Sequence, residues 1–131
     1  MKPKIAKIWV QALRSGEYSQ GRTRLNRDGL YCCLGVLCEL AVKEGVIPPG
    51  LPTISNGTEK VFAYGERAEV GLPPPEVVRW AGMKSRTGYI TSMDPAVPAF
   101  INTNPSLAHL NDFGVPFSEI ADAIERNIPT L

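Results

Sequence analysis

An excess of charge of either sign is missing from this sequence. Its 131 residues carry 14 Lys and Arg against 13 Asp and Glu, a formal net charge of +1. No long-range field for nucleic acid or an anionic membrane is expected from that balance. Histidine is reduced to one residue, His109. The three cysteines, Cys32, Cys33 and Cys38, are crowded together. A secreted disulfide scaffold spaces an even number through the chain, so reduced thiols and a cytoplasmic location are the expectation. Lys2, Lys4 and Lys7 interrupt any secretory apolar stretch at the start. No apolar run reaches the ~20 residues that cross a bilayer. There is no Gly-rich phosphate loop with its Lys, and neither internal repeats nor low-complexity tracts occur.

What the chain does have is one long apolar stretch, Leu30 to Gly45. Leu34, Leu37, Cys38, Ala41 and Val42 fall on one helical face. Cys33, Val36 and Leu40 widen it until only Glu39, Lys43 and Glu44 remain as a polar strip. A helix apolar nearly all round is predicted to be central. Gly35 costs such a helix about 1 kcal/mol against Ala. Its presence implies either a close backbone approach or the point where a strand becomes the helix.

The remaining elements are read around that helix. Pro3 to Arg14 is amphipathic, with Ile5, Ile8, Trp9, Ala12 and Leu13 as its stripe. Arg22 to Leu25 is predicted as a short strand, Asn26-Arg27-Asp28-Gly29 as a turn, and Leu30 to Cys32 as the returning strand. Pro48, Pro49, Gly50 and Pro52 mark an irregular, Pro-rich segment near 46–60, with no regular structure before about Thr53. Val61 to Tyr64 is the best later strand. Pro75 and Gly82 bracket a short helix. Tyr89 to Thr91 is an edge-strand candidate. Asn104-Pro105 reads as the cap of a helix through Leu110, and Phe117 to Asn127 as the last helix. The expectation is a single α+β domain over 1–131, with about four helices around a central Cys-rich helix and a small antiparallel sheet.

Several segments in this order resemble a family of small phage and prophage proteins. They are Ser15 to Gly21, then Tyr31-Cys32-Cys33-Leu34-Gly35-Val36-Leu37-Cys38, then Leu72-Pro73 with Val78 and Trp80-Ala81-Gly82. The block Leu107-Ala108-His109-Leu110-Asn111-Asp112-Phe113-Gly114, with Phe117 and Glu119-Ile120-Ala121-Asp122, completes the set. The resemblance implies a phage-encoded protein acting in the host cytoplasm, and it brings no known catalytic residues. Pro116 stands where such proteins often carry a Ser or Thr able to cap the last helix.

Candidate chemistry falls into classes. Tyr18, Gln20, Arg22 and Arg24 form the candidate ligand-binding set, because arginines fork onto phosphate and an aromatic face stacks on a base. Strand alternation would turn Arg22 and Arg24 outward together. A nucleotide-type small molecule is the expected partner, and sequestering such a molecule in a counter-defence role is the expected function. Cys32 or Cys33 with His109 and Asp112 is the alternative, a cysteine-dependent hydrolase or transferase. Against it stands the bland role of the thiols as core hydrophobes. A protein-binding inhibitor of a host enzyme, using the Pro-rich face, is the third class. No metal or cofactor is expected, because Cys32, Cys33 and Cys38 lack the spacing of a zinc clasp. DNA binding by the last helix is disfavoured by Glu119, Asp122 and Glu125, which would face phosphates. No membrane partner is expected, and homo-oligomerisation stays open.

Overall fold

The computed structural model describes residues 1–55, 58–101 and 103–131. Its elements, in chain order, are α1 (Pro3–Arg14), β1 (Ser19–Gln20), β2 (Asn26–Arg27), β3 (Leu30–Tyr31) and α2 (Cys33–Lys43), then β4 (Leu51–Ser55), β5 (Glu59–Ala63), α3 (Pro75–Ala81), α4 (Leu107–Asp112) and α5 (Phe117–Asn127). The fold is α+β, with five helices rather than four among the described residues. The sheet has the order β1-β3-β2-β5-β4. It is mixed and not purely antiparallel, because β1 runs parallel to β3.

The apolar stretch builds the centre as its pattern requires. Cys33 through Cys38, Leu40 and Ala41 are all buried. The helix packs on α1, α3, α4 and β3. Gly35 shows what its missing side chain is for. A Cβ there would lie 1.7 Å from the carbonyl oxygen of Leu25, far inside any tolerated contact. The segment before β2 therefore crosses α2 backbone to backbone, which only glycine allows. Of the two roles open to Gly35, the structure selects the close approach.

α1 buries Ile5, Ala6, Trp9, Val10 and Leu13 and lies mainly against α5. That helix in turn buries Phe117, Ile120, Ala121, Ala123 and Ile124. Trp9 is fully buried, and its indole N–H donates to the Cys33 carbonyl at 2.9 Å. A buried indole without such an acceptor would carry the full desolvation cost of its N–H.

The strands depart from expectation in several places. Asn26 and Arg27 are β2 itself, not half of a turn. The turn is the dipeptide Asp28-Gly29, with φ of 54° and 80°, the left-handed pair of a two-residue hairpin. Arg22 to Leu25 is not a strand, because Thr23 has φ 64° and its N–H donates to the Asp112 carboxylate at 2.9 Å. The alternation that would have turned Arg22 and Arg24 out together is therefore broken. Regular structure resumes at Leu51, so Pro52 lies inside β4. It is tolerated there because β4 is the edge of the sheet, where one side needs no ladder donor. Residues 56–57 of the Pro-rich segment near 46–60 lie outside the described residues. Tyr89 makes only an isolated bridge to Ser106. The cap of α4 is Ser106, whose side chain accepts from the His109 N–H, two residues past the expected Asn104.

Between α3 and α4 the chain is largely irregular, and one carboxylate holds it down. Asp94 is 5 % exposed. It accepts from Arg126 Nε at 3.0 Å and Nη2 at 2.8 Å, from Asn127 Nδ2 at 2.7 Å, and from the Ala96 N–H at 2.9 Å. This paired geometry holds its pKa below the ordinary 3.8, chiefly through the Arg126 hydrogen bonds.

Candidate functional site

The candidate nucleophiles come first. Cys32 caps α2, and its sulfur accepts from the Gly35 N–H at 3.4 Å. A helix N-terminus lowers a thiol pKa, whereas burial raises it. Burial wins here. The Cys32 thiol is pushed up to about 11, and Cys33 and Cys38 are raised well above their ordinary value. Cys33 Sγ approaches the Leu107 carbonyl at 3.6 Å. His109 lies exposed on α4, and Asp112 uses Oδ1 to hold the Thr23 backbone. The sequence motif thus becomes buried thiols with raised pKa and an exposed imidazole, with no contact between them among the described residues, a poor arrangement for nucleophilic attack. Among the described residues no group of three or more His, Cys, Asp or Glu is placed to hold a metal ion.

The four candidate ligand residues do not converge. Gln20 is fixed inside the molecule. Its Nε2 donates to Asn111 Oδ1 at 3.1 Å and to the Val115 carbonyl at 2.8 Å, and its Oε1 accepts from the Phe117 N–H at 3.1 Å. That last bond caps α5 from a distance of 97 residues in sequence. It supplies what Pro116, with no side-chain oxygen, cannot. Asn111 completes the knot, accepting also from the Cys33 N–H at 3.0 Å and donating to the Gly21 carbonyl at 2.9 Å. Arg22 lies over Gly114, where an added Cβ would meet its Nη2 at 2.6 Å. Arg24 reaches only the Thr23 carbonyl, at 3.4 Å. Tyr18 turns the other way. Its ring meets Tyr31 edge-on at 5.3 Å, and Lys43 Nζ lies 5.6 Å from its centroid.

Tyr31 leads to a cleft that sequence reasoning did not single out. Asn26, Gly29, Tyr31, Glu39, Phe62 and Tyr64 line it, and Pro49 and Gly50 close its rim. It encloses about 270 Å³, near the lower end of small-molecule pockets, roughly 300 Å³. A single ring system fits that volume, and a larger ligand would have to extend outside. The β2–β3 hairpin supplies Asn26 and Tyr31, β5 supplies Phe62, and Tyr64 follows directly after it. Glu39 comes from the polar strip of α2.

A polar chain runs through the cleft wall. Asn26 Nδ2 donates to the Tyr64 hydroxyl at 3.3 Å, and that hydroxyl donates to Glu39 Oε2 at 2.7 Å. Asn26 Oδ1 accepts from the Gly29 N–H at 3.0 Å, which anchors it to the hairpin turn. Tyr64 is buried, and desolvation raises its pKa, so the hydroxyl stays a neutral donor. Its one hydrogen is committed to Glu39. The other carboxylate oxygen, Oε1, accepts from no donor among the described residues. Lys43 follows Glu39 by four residues on the same helix, a rise of about 6 Å. Lys43 meets Tyr18, Tyr18 meets Tyr31, and Tyr31 lines the cleft with Glu39, Phe62 and Tyr64, so contacts connect the cation to the cleft.

Glu39 and Lys43 were legible only as a polar strip, and Tyr64 only as the end of a strand. Nothing local in the sequence joins residues 25 positions apart. The described residues contain no helix long and apolar enough to cross a membrane. No curated protein and no solved structure matches the chain. A family model described as "Domain of unknown function (DUF8296)" matches residues 1–128, nearly the whole length, and the chain therefore belongs to that family.

Proposed function

We propose that this protein is a non-enzymatic, phage-encoded accessory protein of the bacterial cytoplasm that binds and sequesters a nucleotide-type small molecule. The observation that carries the reading is the aromatic cleft lined by Glu39, joined through Tyr31 and Tyr18 to Lys43, one turn past Glu39 on α2. A nucleotide has the matching order of parts: a flat base with hydrogen-bonding edges, then a sugar, then an anion. The cleft takes the base. The anion meets Lys43 beside Tyr18, while Arg22 and Arg24 serve it only if they swing from their present contacts. Burial of the three thiols favours binding over covalent chemistry.

Titration calorimetry with nucleoside monophosphates, cyclic nucleotides and cyclic dinucleotides tests this. Phe62→Ala is expected to abolish binding. Lys43→Ala should weaken it about tenfold, the usual weight of one charged hydrogen bond. Arg22→Ala and Arg24→Ala are expected to change it less. If no member of the panel binds, or if binding survives both Phe62→Ala and Lys43→Ala unaltered, the reading fails.

A further inference from the structure

Resting on that reading, we infer that the cleft selects a guanine base, recognised through the paired N1–H and N2–H donors of its Watson–Crick edge. The argument begins with which groups in the cleft still lack a partner. The Tyr64 hydrogen points to Glu39, and the Asn26 amide is engaged at both ends, by Tyr64 and by Gly29. Tyr64 is therefore no spare donor toward a ligand, while Asn26, 5 % exposed, keeps one of its two N–H hydrogens. Among the described residues Glu39 Oε1 has no donor and Oε2 receives one hydrogen bond, leaving room for another at a carboxylate oxygen. Apart from that one N–H, what the wall presents at Glu39 is carboxylate oxygen that asks for donors.

The common bases answer differently. Adenine presents its amine beside an acceptor nitrogen, and cytosine does the same. Uracil and thymine place one N–H between two carbonyls. Each can give the Glu39 carboxylate one hydrogen bond and sets a lone pair beside its other oxygen, a repulsion that offsets the bond. Guanine alone presents two adjacent donors with the spacing of a carboxylate's two oxygens, so it bonds in bidentate fashion. The Tyr64 and Asn26 contacts then keep the carboxylate from rotating away, which reduces the ordering cost of the bidentate pair. Tyr31 and Phe62 supply apolar ring surface beside it, suited to the base's faces.

The test compares GMP, IMP and AMP by calorimetry on wild type and on Glu39→Gln, with circular dichroism to verify folding. IMP differs from GMP only in lacking the N2 amine. The expected result is GMP tightest, IMP about tenfold weaker, the loss of one charge-assisted bond, and AMP weaker still. Glu39→Gln retains an acceptor for Tyr64 and should abolish the preference for GMP. Phe62→Ala serves as a second variant and should remove all three ligands from the site. AMP binding as tightly as GMP, sensitive to Phe62→Ala, would overturn the guanine assignment and leave nucleotide binding standing. A GMP preference unchanged by Glu39→Gln would also overturn it. Tighter binding of methylguanidine than of GMP would reassign the site to guanidinium groups. Failure of all three nucleotides to bind would overturn the inference together with the reading beneath it.

Discussion

Two buried asparagines organise polar chains in this molecule, and the chains end differently. Asn111 lies under α2. Its oxygen accepts from the Cys33 N–H and Gln20, its nitrogen donates to the Gly21 carbonyl, and Gln20 passes the connection on to Val115 and Phe117. Every strong contact returns to the protein. Asn26 lies at the hairpin, and its chain runs through Tyr64 to Glu39, a cleft-lining residue whose second oxygen takes no donor among the described residues. A closed polar network fixes a fold, because any break leaves buried groups unpaired. An open one keeps a hydrogen-bonding valence for something outside the chain. The difference sets apart polar groups that are satisfied within the fold from one that is not, without reference to any motif.

The comparison can be broken first at Asn111. Asn111→Ala leaves the Cys33 N–H and the Gly21 carbonyl without that partner and takes one of two acceptors from the Gln20 amide. At about 1–3 kcal/mol per unsatisfied buried group, a loss of about 3–5 kcal/mol is expected. Urea unfolding midpoints measure it, and a loss below about 1 kcal/mol would show that water or rearrangement heals the knot.

A smaller effect is expected at Asp94, a third polar centre, closed by a charge. Arg126 is 42 % exposed and is partly solvated without its partner, so Asp94→Ala should cost about 2–3 kcal/mol, short of the ~3–5 kcal/mol of a fully buried broken pair. Its pH dependence is specific. The folded-state pKa of Asp94 lies below the ordinary 3.8. The stabilisation is therefore complete above that ordinary value and disappears as pH falls through the folded one. The gap between wild type and Asp94→Ala should be constant near neutrality and shrink below about pH 4. A gap that persists unchanged to pH 2 would remove the carboxylate's charge from the explanation.

The smallest effect belongs to the open chain. Tyr64→Phe removes the hydroxyl but keeps the ring. It leaves the Asn26 Nδ2 without that partner and frees a carboxylate already in touch with water, so about 1–2 kcal/mol is expected. Ligand affinity should fall by a larger factor than stability suggests, because Glu39 loses its positioning contact. Parallel thermal unfolding and calorimetry separate the two, and an unchanged ligand affinity would place Tyr64 in the structure alone.

How much of this the sequence disclosed depends on the range of the interaction. The apolar run that forms α2 is a local pattern, and its burial followed from it. Helix α3 followed likewise from Pro75 and Gly82, both of which act on neighbouring backbone. Gln20 illustrates the opposite case. It looked like a ligand residue beside Tyr18 and is instead the cap of a helix that begins at Phe117. Arg22 to Leu25 had a plausible strand composition, but the Asp112 carboxylate holds Thr23 in a left-handed turn. Asp94 gave no sequence signal, because its partners lie 32 and 33 residues further on. The cleft was hidden for the same reason. Its lining comes from the hairpin, the helix and β5 with the residue after it, and no periodicity spans them.

The pairing of α1 with α5 has a consequence for the protein during its synthesis. Most of the packing of α1 is on residues 117–127, made about 100 positions later, and a smaller part is on α2. At roughly 5–20 residues per second, the apolar stripe of the first helix leaves the ribosome about 5–20 s before its partner. During that interval it has α2 but not its main partner, and the rest of its apolar stripe is open to chaperones and to neighbouring nascent chains. Contacts of such sequence separation also slow folding, since loop closure must precede the reward. A circular permutant that joins the two helices through a short linker would make the contact local, shorten the exposure and fold faster at the same final packing.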